Sequence, residues 1–283
     1  MNRQSGSKTD RALKCIAAWG MPGNVIALER RRNVGSDNFY VSVVIPVYNG
    51  ERFMGEAVQS IQQQNYQPLE IIVVDDGSTD GSAEIAAGLD VRYFYQPNSG
   101  LPAARNKGLQ MARGDIITYL DVDDLWSDDK LRLQLAHLKR DAAAEIVLGH
   151  TQLVQVVGFE DGKHKGREWS TPTLAMSMGS ASFKKAVFDK VGTFDERQRY
   201  CDDLDWFMRA RELGIRILVH PEVVLYYRRH QGNMTNEIEL GNYHMLRMLK
   251  KSLERRRQKG LTAASLQKLS ESHLNAREGQ SYE

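Results

Sequence analysis

Hydrophobic residues change their spacing from segment to segment along this chain. Val41-Ser-Val-Val-Ile-Pro-Val47 is an almost unbroken β-branched run, the pattern of a strand buried on both faces. Across 51–63, Phe53, Met54, Ala57, Val58 and Ile61 recur at helical intervals. The pattern then predicts a strand over 69–74, a short helix over 81–87 and a strand over 91–95. A helix over 101–112 and a strand over 115–120 follow. Strands alternating with helices through short connections predict an α/β fold, a mostly parallel central sheet with helices on both faces. Ligands of such sheets bind beyond the carboxyl ends of the strands. Two acidic clusters fall there, Asp75-Asp76-Gly-Ser-Thr-Asp80 and Asp121-Val-Asp-Asp124.

The remainder is less regular. It predicts a strand over 146–150, a turn over 158–166, a helix over 203–213 and two strands, 215–220 and 223–228. After Gly232 the pattern is helical: Leu246, Leu249 and Leu253 form a stripe within 243–259, and a weaker helix runs over 262–276. Three parts result. Residues 1–39 are an extension, either loosely docked or a short surface-binding helix. Residues 40–232 are the main domain, with a 40–124 half and a 125–232 half, and 233–283 are a helical tail.

Composition narrows the function classes. Thirty-eight Lys+Arg against 36 Asp+Glu leave a formal charge of +2, which gives no support to coating nucleic acid, so no nucleic-acid partner is expected. Cys15 and Cys201 are too few for a disulfide framework or a zinc finger. Apolar runs fall far short of the ~20 residues needed to span a bilayer. Gly20, Pro22 and Gly23 interrupt the apolar patch of the N-terminus too soon for a secretory signal. The expected location is cytoplasmic.

Each acidic cluster has two readings. Asp121 and Asp123 can share a divalent cation with a bound phosphate, because Mg²⁺ takes one or two carboxylates and leaves places for phosphate oxygens and water. Alternatively, Asp123 or Asp124 caps a helix beginning after Ser127. In the other cluster Ser78 or Thr79 caps the next helix, or an acid accepts the imide N–H of uracil or thymine, a donor that cytosine lacks.

Six short motifs in order resemble glycosyltransferase family 2, which has the GT-A fold. They are Val41-Ser-Val-Val-Ile-Pro-Val-Tyr-Asn49, Ile71-Ile-Val-Val-Asp-Asp-Gly-Ser-Thr-Asp80 and Asn98-Ser-Gly-Leu-Pro-Ala-Ala-Arg-Asn-Lys-Gly108. Tyr119-Leu-Asp-Val-Asp-Asp124, Val191-Gly-Thr-Phe-Asp-Glu196 and Asp202-Asp-Leu-Asp-Trp206 complete the set. The resemblance implies an inverting, metal-dependent glycosyltransferase using Mn²⁺ or Mg²⁺. It would move a sugar from a nucleotide-sugar donor, a UDP-sugar by the imide argument, to a hydroxyl on a glycan, lipid-linked sugar or peptide.

Roles follow by position within those motifs. Pro46, Tyr48 and Asn49 would line the nucleobase pocket, with Tyr48 stacking on the base. Asp76 would read the imide, and Asp75 would support it or touch the ribose. Arg105 would lie near the nucleotide or simply offset the acids, and both readings stay open. Asp123 would be the direct metal ligand and Asp121 would contact ribose, sugar or metal. His230 is a further candidate metal ligand, and Arg228 and Arg229 would offset diphosphate charge. Asp203 would be the catalytic base, with Asp202 and Asp205 as rivals; Asp202 stands where the family usually writes Glu. Trp126 and Trp206 read as packing residues.

Two other classes compete. A sugar nucleotidyltransferase needs a basic, Gly-rich loop after the first strand, and Pro46-Val-Tyr-Asn-Gly50 has no basic residue before Arg52. A non-catalytic binding relative remains, although every acid position is filled. The tail also has two readings. Its helix packs the leucines on the domain and leaves a basic face in solvent, or it makes a peripheral membrane contact at the inner face with anionic lipid.

Overall fold

The computed structural model describes residues 38–271 apart from 161, 162, 169, 267 and 268. The expectations for 1–37 and for the end of the tail lie outside those residues. A compact unit begins at Asn38.

Four parallel strands form one half of the sheet: β1 (Val41–Val47), β2 (Leu69–Asp75), β3 (Arg92–Tyr95) and β4 (Ile116–Tyr119). Successive residues of β1 enter different apolar cores. Val43, Ile45 and Val47 join one, and Val44 joins the other with Ile72, Val74 and Tyr119. Burying each aliphatic side chain contributes ~1.5–3 kcal/mol, so a run without polar alternation selects a central strand. Helices α1 (Met54–Gln62), α2 (Ser82–Ala87) and α3 (Leu101–Met111) connect these strands. A Cβ at Gly108 of α3 would stand 2.1 Å from Val44 Cγ1. That close approach seats α3, and with it Arg105, directly on β1.

After β5 (Leu125–Trp126) and α4 (Lys130–Arg140), the sheet continues with β6 (Ile146–Glu160), β7 (Lys163–Glu168), β8 (Ala181–Lys184) and β9 (Ile217–Arg229). Its order is β10-β9-β6-β8-β4-β1-β2-β3, where β10 is Ser270–Glu271. Strand β8 runs antiparallel to β4 and β6, whereas β6 and β9 are parallel. Helices α5 (Ala186–Val191), α6 (Asp202–Glu212) and α7 (Ile238–Gln258) complete the fold. Trp126 and Trp206 are buried, as packing residues should be. Among the described residues no helix is long and apolar enough to cross a membrane.

Four expectations are corrected. The turn expected over 158–166 is replaced by strand at 158–160 and 163–166: β6 runs on to Glu160 and pairs antiparallel with β7, with a register shift between Val156 and Gly158. The strands expected at 215–220 and 223–228 are one strand, β9. Pro221 is tolerated because the β6–β9 register breaks around His150, where no regular ladder bond is required of it. The described residues of 262–271 form no α-helix; they hold a short 3₁₀ turn (Ala263–Ser265) and β10.

The last correction concerns α7, whose leucines do not pack on the domain. His244, Met248 and Ser252 face inward, while Leu246 is 68% exposed, and Leu249 and Leu253 are exposed too. Polar pairing selects this face. Ser252 Oγ donates to Glu212 Oε1 at 2.6 Å, Arg255 pairs with Glu212 at 2.7 Å, and Lys251 pairs with Asp195 at 2.7 Å.

Candidate active site

The carboxyl ends of β1, β2 and β4 gather most of the residues singled out above. Pro46 is buried in β1, and beyond its end Tyr48 is 54% exposed, so this tyrosine is not a core residue. Asn49 adopts a left-handed φ of 53°. Its Oδ1 accepts from Thr79 N at 2.8 Å, and its own N–H donates to Ser78 Oγ at 2.9 Å. Asn49 therefore ties the β1 loop to the β2 loop.

Asp75 and Asp76 are both buried and divide their work. Asp75 accepts from Ser78 N at 2.7 Å and from the Tyr93 hydroxyl at 2.6 Å, which fixes the turn. The hydroxyl is held by this bond, and burial followed by Asp75 pushes its pKa up. Asp76 accepts from Gln96 Nε2 at 2.7 Å, Ser99 N at 2.8 Å and Gly100 N at 2.7 Å, the last two just ahead of α3. A carboxylate offers about four lone-pair sites, so three donors leave room for one more N–H.

Arg105 joins the second strand end to a distant helix. It is 2% exposed, donates to Asp202 Oδ2 at 2.6 Å and forks onto both oxygens of Asp121 at 2.9 and 3.1 Å. Burial alone would lower its pKa, but Asp121, Asp202 and Asp203 reverse this and hold it above the ordinary value. Asp202 starts α6 with its carboxylate committed to Arg105. Asp203, the next residue, is only partly exposed and accepts from Leu204 N at 2.7 Å. Burial, then the neighbouring Asp202 charge, pushes its pKa up to about 7. Asp205 lies elsewhere: it is buried against Arg209 at 3.0 Å and Arg255 of α7 at 3.3 Å.

Asp123 and His230 meet across 107 residues of sequence. His230 Nε2 lies 3.1 Å from Asp123 Oδ2, and Asn233 Nδ2 donates to the same oxygen at 3.1 Å. Asp121 faces Arg105 instead, so the three candidate ligands do not form one cluster. Among the described residues no group of three or more His, Cys, Asp or Glu is arranged for a metal. Two protein donors still fit a divalent cation whose other positions go to phosphate and water. A carboxylate beside an imidazole suits Mn²⁺ better than Mg²⁺, which prefers oxygen alone.

The support behind this pair was not legible in the sequence. Arg228 is buried, not turned toward a diphosphate. Its guanidinium pairs with Glu56 at 2.8 Å and donates to the Asp123 carbonyl, and its N–H donates to Asp124 Oδ1 at 2.9 Å. Neither Asp123 nor Asp124 caps a helix, since α4 begins at Lys130 after Asp129. Phe53 of the β1–α1 connection stacks between His230, at 4.6 Å, and His164 of β7, at 4.3 Å. Glu56 and Arg228 are 172 residues apart, so no local pattern announces them. A cavity of about 480 Å³ opens at the opposite, amino ends of β2 and β3, away from these acids.

Comparison with known proteins matches residues 42–198 to the model of the glycosyl transferase family 2. Glycosyltransferase GlyG of Streptococcus pneumoniae is 39% identical over 232 residues, covering 71% of this chain and 74% of the relative. The chain spans 66% of the length of an uncharacterized glycosyltransferase of Rickettsia typhi and 40% of one from Haemophilus influenzae. Among solved structures, S. aureus TarS 1–349 in complex with UDP-GlcNAc superposes with a TM-score of 0.57 at 22% identity, over 70% of this chain and 61% of that one. The mannosyltransferase PcManGT of Pyrobaculum calidifontis, in complex with GDP-Man and Mn²⁺, gives 0.58 at 22% identity, over 76% and 64%. At such identities these two likenesses establish the fold, an α/β architecture similar to GT-A glycosyltransferases.

Proposed function

Because this chain belongs to glycosyl transferase family 2, we propose that it transfers a sugar, with inversion, from a UDP-sugar to a hydroxyl acceptor in polysaccharide or glycolipid assembly. The observation that carries this reading is Arg105. By gripping Asp121 and Asp202 together, it brings the β4 acids and the start of α6 into one place. Asp203 then stands beside the acids that would face the donor.

In this reading Asp203 is the base. It takes the proton of the acceptor hydroxyl as that oxygen bonds to the anomeric carbon. The carbon–oxygen bond to the diphosphate breaks on the opposite face, and the diphosphate leaves with the electron pair. No covalent intermediate on the protein is required. Asp203 is preferred to Asp202, whose carboxylate pairs with Arg105, and to Asp205, which pairs with Arg209 and Arg255. Asp123 and His230 would hold a divalent cation, Mn²⁺ by preference, which when bound would neutralise charge on the leaving diphosphate. Tyr48 is exposed at the strand end and available to stack on the base. A UDP-GlcNAc complex of TarS and a GDP-Man complex of PcManGT show that this fold accommodates either base. With three donors already on Asp76, one lone-pair site remains by count, which suits one imide N–H better than the two-donor edge of guanine.

Two measurements test the reading. Thermal shift with nucleotide sugars and Mn²⁺ should show UDP-sugars raising Tm most, and mass spectrometry should then find a sugar added to a candidate acceptor. The absence of any shift with UDP-sugars would overturn it. Asp76→Ala should weaken UDP binding roughly 10- to 150-fold, the loss of ~1.5–3 kcal/mol for a hydrogen bond to a charged group. Calorimetry finding GDP bound as tightly as UDP by the unaltered protein would remove the base assignment.

A further inference from the structure

We propose that the outer face of α7 docks on an anionic lipid surface, an inference that rests on the glycosyltransferase reading and specifies where that enzyme works. Tyr243, Leu246, Leu249 and Leu253, spaced by three, three and four residues, lie on one side of the helix and are all exposed. The inward side is occupied by His244, Met248 and Ser252. The helix thus leaves its leucines in solvent while its polar pairs hold the domain. That inverts the usual amphipathic arrangement and calls for an apolar partner on the outside.

Charge identifies the partner. Residues 244–259 contain seven Lys and Arg and one acid, Glu254. Lys251 and Arg255 are used inward on Asp195, Asp205 and Glu212. Lys250 and Arg257 are exposed, Lys250 lying 4.0 Å from Glu254 one turn on; Lys259 is exposed at the helix end, and Arg256 is partly exposed, donating to the Ser252 carbonyl at 3.4 Å. A second copy meeting this face would bring the same excess of positive charge, with only Glu239 and Glu254 among the acids of α7 itself to offset it. Apolar side chains rimmed by an excess of exposed Lys and Arg suit the boundary of headgroup and acyl chain in an anionic bilayer.

The placement has a consequence for the acceptor. The inner face of α7 touches the loop leading into the base: Tyr200 hydroxyl donates to Glu237 at 2.8 Å, and Gln198 Nε2 donates to the His244 carbonyl at 2.9 Å. A bilayer on the outer face would lie about one helix diameter, ~10 Å, from that loop. A lipid-linked acceptor would then meet Asp203 without leaving the membrane.

Sedimentation of the full chain with vesicles tests the docking. The protein should pellet with phosphatidylcholine vesicles containing phosphatidylglycerol at low salt, stay in solution with pure phosphatidylcholine, and be released by high salt. Arg256→Ser with Arg257→Ser should weaken vesicle partitioning about 30-fold, equivalent to ~1 kcal/mol for each of two basic residues near the surface. Leu246→Glu with Leu249→Glu should abolish it. Both variants should bind UDP like the unaltered protein, a readout that stands apart from docking and reports on the donor site. No pelleting with anionic vesicles at low salt, or pelleting that both variants retain, would overturn the proposal. Light scattering that shows a dimer broken by the leucine substitutions would assign the face to a second copy and overturn it as well.

Discussion

Asp203→Asn should lower kcat by about 10²–10⁴-fold, the range for removing a general base, while leaving UDP affinity within about twofold of the unaltered protein. The isosteric amide keeps the α6 start intact but cannot take a proton. Steady-state rates beside calorimetric titration of UDP check this, and equal losses in kcat and UDP affinity would point instead to a disturbed donor site. The pH profile supplies a second signature. With its pKa pushed up to about 7, Asp203 is protonated and idle below that value, so activity should climb as pH rises through about 7. Stability should run the other way. A carboxyl with a raised folded-state pKa disfavours the fold once it ionises, so its cost begins above the ordinary Asp value and is complete above about 7. The Asn variant should melt at or above the unaltered protein at pH 8, and a clearly lower Tm there would argue for a structural role.

The second large effect is expected at Asp123. Asp123→Ala should reduce sugar transfer at least about 10³-fold, on the scale of several kcal/mol of leaving-group stabilisation. The fold should survive, because Arg228 binds the Asp123 carbonyl and the Asp124 carboxylate rather than the Asp123 side chain. Rates with and without EDTA check the same claim. Transfer that ignores both the chelator and the substitution would remove the metal assignment.

How much of this was legible in the sequence depends on the range of the interaction. Strand β1 falls at 41–47 as its β-branched run predicts, since a strand buried on both faces needs no partner to reveal itself. The acids of β2 and β4 were placed at strand ends for the same local reason. Tertiary pairing hid the rest. Nothing near Asp202 indicates that Arg105, 97 residues earlier, will occupy it. Asp205 is a rival to Asp203 in the sequence, and nothing there shows that Arg255, 50 residues onward, pairs with it. Strand pairing between β6 and β7 takes in residues at both ends of the stretch expected to be a turn. The leucine stripe left both orientations of α7 open, and pairing with buried Glu212 and half-buried Asp195 turned inward the face carrying Ser252, Arg255 and Lys251. A hydrophobic stripe marks a helix, yet it selects the inward side only when no stronger polar pairing competes.

In the proposed function, donor binding at these strand ends requires a nucleoside diphosphate held through a divalent cation. Calorimetric titration of UDP into the full chain, with Mn²⁺ and then with EDTA, measures that without knowledge of the acceptor. Binding in Mn²⁺ that weakens at least tenfold in EDTA, and equally in Asp123→Ala, is the predicted result. UDP bound with the same affinity in both conditions, or not bound at all in Mn²⁺, would contradict it.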